Sequence, residues 1–148
     1  MKKQLSDEIF ESIAVLNHAI RARHHQLSRE QGSGIAGMEF KALKFIATHE
    51  GATQKDLVER SGRDKGQIAR VISNLKAQGL VEACLDEKDR RISRLSVTPQ
   101  GRALHGDFEK MNVVMAEQAV AGMSAEECQT LLALLGKVNA NLALNPGN

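Results

Sequence analysis

Residues 53–98 have the sequence TQKDLVERSGRDKGQIARVISNLKAQGLVEACLDEKDRRISRLSVT, and this stretch decides the fold. At its start, the Thr53 hydroxyl can accept a hydrogen bond from the amide three residues later, while Asp56 can bond back to the Thr53 amide. This capping-box pattern predicts the beginning of a short helix. Gly62 marks its expected end, because glycine interrupts a helical pattern.

A second short helix is predicted after a short turn. Asp64 is its expected cap, with Gln67 at the third helical position as in a second capping box, and Gly79 is its expected end. The inward face of this helix is apolar and consists of Ile68, Val71, Ile72 and Leu75. Two short helices joined by a turn that contains glycine are typical of a helix-turn-helix.

Two segments with strand character follow, at residues 80–85 and 92–98. Between them lie six consecutive charged residues, Asp86-Glu87-Lys88-Asp89-Arg90-Arg91. A two-stranded ribbon with a charged tip, directly after a helix-turn-helix, is a wing. Thr98 and Pro99 are the expected cap and first residue of the next helix. The predicted fold class is therefore mainly α with a small β-ribbon wing (α+β), a winged helix-turn-helix.

Long amphipathic helices are predicted on both sides of this stretch. Apolar residues repeat every three or four positions from Leu5 to Ile20, which predicts a first helix that runs to about Arg29. A second helix contains Phe40 and ends before Gly51. After the wing, two more helices are expected, and the last one begins after Ser124. Apolar helices at the ends of a chain usually pack on each other or on a second copy of the chain.

The composition fits one globular domain with a cationic middle segment. Of the 148 residues, 42% are hydrophobic and 26% are charged, which suffices for a core without metal or disulfide. No apolar run is long enough to span a membrane and the acidic N-terminal stretch does not fit a signal peptide, so a cytoplasmic location is predicted.

The absence of Trp and Tyr excludes an aromatic platform for single-stranded bases. Residues 53–102 contain eleven Lys and Arg against seven Asp and Glu, which favours either a polyanion partner or a solvated face.

Several of these residues together resemble the winged helix-turn-helix of the MarR family of bacterial transcription regulators. The matching positions are Thr53-Gln54-x-x-Leu57, Gly79-Leu80-Val81, Asp89-Arg90-Arg91, Leu95 and Val97-Thr98-x-x-Gly101. The flanking helices fit as well, so the similarity covers nearly the whole chain. The resemblance implies a two-fold dimer in which the first, fifth and sixth helices of both protomers interlock. It thus implies a helical dimerisation region at residues 1–34 and 103–148 and a DNA-binding lobe at residues 35–102, in one structural domain.

The second helix of the helix-turn-helix is the predicted recognition helix, which enters the major groove with its first residues nearest the bases. Lys65 and Arg70 can donate to guanine, and Gln67 can pair with adenine. Gly66 allows the backbone to approach the DNA closely. Phosphate contacts are predicted for five further residues, namely Thr53, Gln54, Arg63, Ser73 and Asn74. The alternative interpretation is that the polar side of this helix only faces solvent and does not contact DNA.

The wing tip is the predicted minor-groove contact. Lys88, Arg90 and Arg91 bring three cations to one hairpin, and a narrow minor groove attracts inserted arginines through its negative potential. In the family that this sequence resembles, an Asp-x-Arg pair at the tip inserts the arginine and uses the aspartate to orient it. The resemblance therefore implies that Asp89 orients Arg91. An ordinary charged hairpin tip is the alternative.

The predicted function is a sequence-specific, double-stranded DNA-binding transcription regulator. We expect a homodimeric repressor that binds a pseudo-palindromic operator and responds to a small-molecule effector. In the family it resembles, the effector pocket lies between the dimer helices and the DNA-binding lobe and is often lined by aromatic residues and Arg. Because Tyr and Trp are absent, no effector-binding residues are predicted. No catalytic residue, cofactor or metal site is predicted, since no nucleophile with a base or convergent set of ligands stands out.

Two alternative functions stay open. One is a winged-helix protein-interaction module that does not bind DNA, although the cations Arg70, Arg90 and Arg91 argue against it. The other is a redox-responsive regulator that acts through Cys84. The favoured role of Cys84 and Cys128 is that of a small buried hydrophobe.

Overall fold

The computed structural model describes residues 1–32, 34, 35 and 37–144. Over these residues the chain forms six helices and one two-stranded sheet, in the order α1 (Lys2–Gln31), α2 (Gly37–Thr48), α3 (Gln54–Ser61), α4 (Lys65–Ala77), β1 (Val81–Leu85), β2 (Ser93–Val97), α5 (Pro99–Ala119) and α6 (Ala125–Leu144). This arrangement confirms the predicted fold class, mainly α with a small β-ribbon wing. The predicted boundaries agree with the observed ones to within about two residues, the usual spread between assignments.

The helix-turn-helix begins with the predicted capping box. The Thr53 hydroxyl accepts from the Asp56 amide at 3.2 Å, and the Asp56 carboxylate accepts from the Thr53 amide at 2.9 Å. Gly62 then adopts a left-handed φ of 63° and ends α3. The cap of α4 differs from the prediction, because Asp64 accepts from the amide of Gly66 at 3.3 Å rather than sharing a capping box with Gln67. Both helices are thus fixed at their first turns by local hydrogen bonds.

The hydrophobic core lies between α2, α3, α4 and the sheet. Leu43 and Leu75 are fully buried at its centre, and Ile46 is 2% exposed. Each such side chain contributes about 1.5–3 kcal/mol through its removal from water. The whole cluster consists of Ile35, Ala42, Leu43, Ile46, Ala52, Leu57, Ile68, Val71, Ile72, Leu75, Leu80, Val81 and Leu95. This shared core fixes α4 and the sheet in one lobe.

The wing is an antiparallel hairpin that hydrogen bonds join to the rest of the lobe. Its register places Val81 opposite Val97 at the base. Halfway along β2, the Leu95 amide donates to the Ala52 carbonyl at 2.8 Å, which ties this strand to the loop between α2 and α3. The wing therefore keeps a fixed position relative to the helix-turn-helix.

At the base of the wing, Thr98 connects β2 to α5. Its hydroxyl donates to the Gly79 carbonyl at 2.6 Å and accepts from the Gly101 amide at 3.0 Å, which confirms the predicted cap of α5. Its amide donates to the Leu80 carbonyl at 3.0 Å. A Cβ atom at position 101 would lie 2.0 Å from the same carbonyl oxygen, so only glycine fits there.

The chain divides into two compact units, Met1–Asp107 and Phe108–Asn148. In the first unit, the end of α1 is anchored by Leu27 and Ser28, which are both buried. The Ser28 hydroxyl also donates to the carbonyl of Ile35. The rest of α1 is largely exposed.

The second unit contains the end of α5 and all of α6. As predicted, Ser124 caps α6: its hydroxyl accepts from the Glu127 amide at 3.1 Å, and its own amide donates to the Glu127 carboxylate at 2.8 Å. Across the described part of the chain, no helix contains a segment that is both long and apolar enough to cross a bilayer.

Candidate nucleic-acid interface

The exposed face of α4 presents the predicted base-contacting side chains. Lys65, Gln67 and Arg70 are exposed, as are the predicted phosphate contacts Ser73 and Asn74. The opposite face of α4 is buried in the core and consists of Ile68, Val71, Ile72 and Leu75. Because the apolar face cannot rotate outward without leaving the core, the polar face is held towards solvent.

Gly66 has a structural role in the first turn of α4. A Cβ atom here would lie 3.3 Å from a carboxylate oxygen of Asp64, which is tighter than most contacts of real Cβ atoms. The same carboxylate caps the helix by accepting from the Gly66 amide. Glycine therefore preserves the cap as well as leaving the backbone of α4 open to a close approach.

The predicted phosphate contacts Thr53, Gln54 and Arg63 lie at the start of α3 and in the turn before α4. Thr53 and Gln54 are half-buried, whereas Arg63 is exposed. The hydrogen bond from the Thr53 amide is the main cause that lowers the pKa of Asp56. This ionised carboxylate already satisfies one amide at the N-terminus of α3, so an anion at this site would bind to the remaining amides.

At the wing tip, Arg91 and Asp89 form a fork of two parallel hydrogen bonds. Arg91 Nε donates to Asp89 Oδ1 at 3.0 Å, and Nη2 donates to Oδ2 at 3.1 Å. This pairing lowers the pKa of Asp89 and raises that of Arg91. The Arg91 side chain is nonetheless 91% exposed. The orientation of Arg91 by Asp89 is thus present in the free protein, beside the exposed side chains of Lys88 and Arg90.

A second arginine fixes the wing and was missed by the sequence analysis. Arg94 on β2 donates through Nε to Asp86 at 3.0 Å and through Nη1 to the Gly51 carbonyl at 2.9 Å. Asp86 in turn accepts from the Asp89 amide at 3.1 Å, and its hydrogen bond with Arg94 is the main cause that lowers its pKa. A continuous chain of hydrogen bonds thus links the wing tip to the loop before α3. In the sequence, only a pair of opposite charges eight residues apart hints at this contact.

The cysteines depart from the expected burial. Cys84 is a free thiol on the exposed part of β1, and Cys128 on α6 is half-buried. The expectation of a small buried hydrophobe is therefore wrong for Cys84, because only the first residue of β1, Val81, is buried in the core. Among the residues described, His, Cys, Asp and Glu nowhere form a group of three or more that could hold a metal ion.

The comparisons with known proteins agree with this geometry. The model of the MarR family matches residues 33–92, from shortly before α2 through the wing tip. The HTH-type transcriptional regulator YybA of Bacillus subtilis is 29% identical over 118 residues, which cover 73% of this chain and 79% of the relative. The HTH-type transcriptional repressor NicR of Pseudomonas putida is 24% identical over 133 residues, which cover 88% of this chain and 84% of the relative.

The structural similarity extends to the flanking helices. A MarR-family transcriptional regulator from Listeria monocytogenes, solved in complex with a 26mer DNA, matches with a TM-score of 0.77 and 25% sequence identity. The match covers 90% of this chain and 88% of that chain. The resemblance inferred from the sequence is thereby confirmed.

Proposed function

We propose that this chain, a DNA-binding transcription regulator that belongs to the MarR family, acts as a homodimeric repressor that binds a pseudo-palindromic operator. The observation that carries the proposal is the exposed first half of α4 beside a wing whose Arg91 is already oriented by Asp89. A two-fold dimer would place two such lobes on half-sites about one helical turn apart.

In this proposal, α4 reads bases in the major groove. Lys65 and Arg70 donate to guanine, Gln67 pairs with adenine, and Gly66 keeps the backbone close to the base edges. Each good bidentate contact is worth about 1–3 kcal/mol of discrimination between bases. The exposed positions of these side chains on one lobe support this assignment.

The remaining contacts position the protein on the duplex. Phosphates are bound by the residues that surround α4, namely Thr53, Gln54, Arg63, Ser73 and Asn74. Arg91 enters the minor groove and Lys88 and Arg90 pair with phosphates beside it. Arg94 acts as a positioning residue, because it holds the wing against the loop before α3 without reaching the tip itself.

Dimerisation is supported by apolar side chains that the single chain leaves in water. In the first unit, α1 exposes Leu5, Ile9, Phe10, Val15, Leu16 and Ile20 by 41–65%. In the second unit, the exposed apolar residues are Val113, Val114, Val120, Met123, Leu131, Leu132, Leu134 and Leu142. Large exposed apolar faces usually mark interfaces, and obligate dimers bury more than about 2,000 Å². We assign both faces to contacts between two copies of this chain.

Repression and its release complete the proposal. The relative NicR is named a repressor, which favours the same sign of regulation here. A ligand that favours a different spacing of the two lobes would lower the affinity for a fixed operator, because it stabilises the state that does not match the half-sites.

The experiment is a selection of genomic DNA fragments bound by the purified full chain, followed by affinity measurements on the enriched site. Enrichment of a pseudo-palindrome with half-sites about ten base pairs apart supports the proposal. Affinity should fall by about 10³–10⁵ between 50 and 200 mM salt, given several phosphate contacts in each protomer. No enrichment from a folded dimer would instead favour the protein-interaction alternative.

Base reading can be separated from general charge attraction with two variants of the same helix. Arg70→Ala should relax the preference at one base pair of each half-site, with a loss of about 1–3 kcal/mol on the preferred site. Lys76→Ala removes a cation from the exposed last turn of α4 and serves as the matched control. If Arg70→Ala weakens all sequences equally, Arg70 contacts a phosphate and not a base.

A further inference from the structure

A cavity of about 320 Å³ lies within the DNA-binding lobe, between α2 and the segment from the end of α3 to α4. Its floor is apolar and includes the buried side chains of Ala42, Leu57 and Ile68. Two side chains from α2, one from the last turn of α3 and one from the turn before α4 bring positive charge to its edge. These exposed residues, the rim cations, are Lys41, Lys44, Arg60 and Arg63.

The charge of the rim is not neutralised by carboxylates of the cavity. None of the twelve residues that line it is an aspartate or glutamate. The carboxylate next to Arg60 in the sequence, Glu59, pairs with Lys55 at 3.9 Å instead. A concave surface with charges of one sign above a low-dielectric floor concentrates the electric field and attracts ions of the opposite sign. Four positive charges on one edge therefore suit a polyanion.

The cavity adjoins the surface proposed to face DNA. Arg63 belongs to both, because it lines the cavity and is also a proposed phosphate contact. The next residue, Asp64, caps α4, whose first residues are proposed to face the bases. Ile68 lies under the first turns of α4 and lines the cavity as well. Lys41 and Lys44 thus lie across the cavity from the end of α4 that is proposed to enter the major groove.

The two lysines of α2 have a spacing that suits a phosphate backbone. They lie three residues apart on one side of the helix, so their Cβ atoms are about 5–6 Å apart. The buried side chains of Leu43 and Ile46 hold the other side of α2 in the core. Each lysine ends in a compact ammonium on a flexible four-carbon stem. Since phosphates follow each other at a rise of about 3.4 Å along one DNA strand, the pair can contact neighbouring phosphates.

From the charge of the rim and its continuity with the DNA-facing surface, we infer that the rim cations form a second phosphate-binding surface, on which Lys41 and Lys44 hold the DNA backbone beside the groove that α4 enters. The inference rests on the proposed DNA-binding function and adds α2 to it, since the contacts assigned above come only from the helix-turn-helix and the wing. The backbone crosses the rim and stays outside the cavity, because the apolar side chains of the floor offer no hydrogen-bond donor to a phosphate.

This surface contributes affinity but no choice of sequence, since phosphates carry no sequence information directly. Loss of both lysines would remove two contacts from each lobe and four from the proposed dimer. The slope of log affinity against log salt concentration should then become less steep by about 3–4. At physiological salt the operator affinity should fall by about 10²–10³, with the base preference unchanged.

The test compares the full wild-type chain with Lys41→Ala/Lys44→Ala on the selected operator, by fluorescence anisotropy between about 50 and 200 mM salt. Lys76→Ala/Lys110→Ala is the matched control, because it removes the same two charges from exposed positions outside the cavity, and it should keep the wild-type slope. Lys41→Arg/Lys44→Arg should restore both affinity and slope, which separates the charge from the packing of α2. Equal melting temperatures confirm that all variants are folded.

Phosphate ethylation interference then locates the contact on the DNA. Ethylation removes the charge of one phosphate, so it weakens binding where that phosphate is contacted. We expect about two phosphates in each half-site to interfere with binding of the wild-type chain but not of Lys41→Ala/Lys44→Ala. They should lie beside the base pairs whose preference changes in Arg70→Ala.

The outcomes separate this inference from the proposed function. An unchanged salt slope in Lys41→Ala/Lys44→Ala, or an equal loss in both double-alanine variants, would overturn the second phosphate-binding surface while operator selection by the wild-type chain still supports the proposed function. A less steep slope with the wild-type interference pattern would overturn it as well, since the lysines would then act only through long-range attraction. A wild-type chain that selects no DNA fragment would overturn the proposed function, and the inference with it.

Discussion

Replacement of Asp89 by alanine removes a negative charge from the surface proposed to face DNA, yet we expect it to weaken DNA binding. The Asp89 carboxylate accepts hydrogen bonds from the Arg91 side chain at 3.0 and 3.1 Å and from the Arg91 amide at 3.1 Å. The arginine side chain is 91% exposed and has no other hydrogen-bond partner among the contacts described for it. Without Asp89, Arg91 would therefore have to be ordered when DNA binds.

The magnitudes decide the sign of this effect. A carboxylate about 7 Å from a phosphate is repelled by about 0.6 kcal/mol in water, and by less at physiological salt. Immobilising a flexible side chain at an interface costs about 0.5–1.5 kcal/mol. Because Asp89 already orders Arg91 in the free protein, most of this cost does not arise when DNA binds. Because ordering outweighs repulsion, Asp89→Ala should weaken operator binding by about 0.5–1 kcal/mol, or roughly two- to fivefold.

The assay is a double-mutant cycle measured by fluorescence anisotropy on a labelled operator fragment. Arg91→Ala alone should cost about 1–3 kcal/mol. In the Arg91→Ala background, Asp89→Ala should leave the affinity unchanged or raise it slightly, since only the repulsion is then removed. The melting temperatures of all four proteins should agree, which confirms that each variant is folded. Tighter binding by Asp89→Ala with Arg91 present, or strict additivity of the two substitutions, would refute the orienting role.

Three further predictions concern the fold, the dimer and the wing. Gly101→Ala should lower the free energy of unfolding by at least about 1–3 kcal/mol, because the new Cβ would lie 2.0 Å from the Leu80 carbonyl oxygen. Gly106→Ala in the same helix is the control: its Cβ would meet open space, so it should raise the free energy of unfolding by up to about 1 kcal/mol, and equal melting temperatures would contradict the packing at position 101. Leu16→Glu should convert the dimer to a folded monomer in analytical ultracentrifugation, with the exposed neighbour Asn17→Glu as the control, and a dimer in both variants would place the interface elsewhere. The hydrogen bond with Arg94 lowers the pKa of Asp86, so the ionised carboxylate stabilises the wing above the ordinary pKa of 3.8, and this contribution is lost as pH falls through the lower pKa of the folded state. Amide NMR signals of the wing should therefore stay constant from pH 7 to about pH 5 and change only below about pH 4. A midpoint above about pH 5 would argue against this ion pair.

The sequence predicted the helices, their caps and the wing because these features depend on neighbours within a few positions. The Thr53 capping box spans three residues, and the Asp89–Arg91 pair, which only the resemblance to the MarR family implied, spans two. Thr98 was assigned as a cap from its place before Pro99, and its bond to the Gly101 amide confirms this. The apolar spacing of α4 likewise identified its buried face, because a helix places residues three and four apart on one side.

The contacts that join distant segments could not be predicted in this way. Arg94 bonds to Asp86 across the hairpin and to Gly51 at a separation of 43 residues, and neither contact can be assigned before the strand register and the packing of the wing are known. The exposure of Cys84 depends on where the sheet leaves the core, and a burial estimate from residue type was wrong for this reason.

The sequence by itself therefore determined the element order, the winged helix-turn-helix fold and the residues of the helix-turn-helix and the wing proposed to contact DNA. Only the tertiary structure decided how the wing is attached to the lobe and that α2, α3 and the start of α4 line an apolar cavity with a cationic rim. The physical reason is the separation along the chain over which each interaction acts. Caps and helix faces follow from hydrogen bonds and periodicity within one helical turn. The wing attachment and the cavity depend instead on which side chains the packed core brings together from segments far apart in the chain.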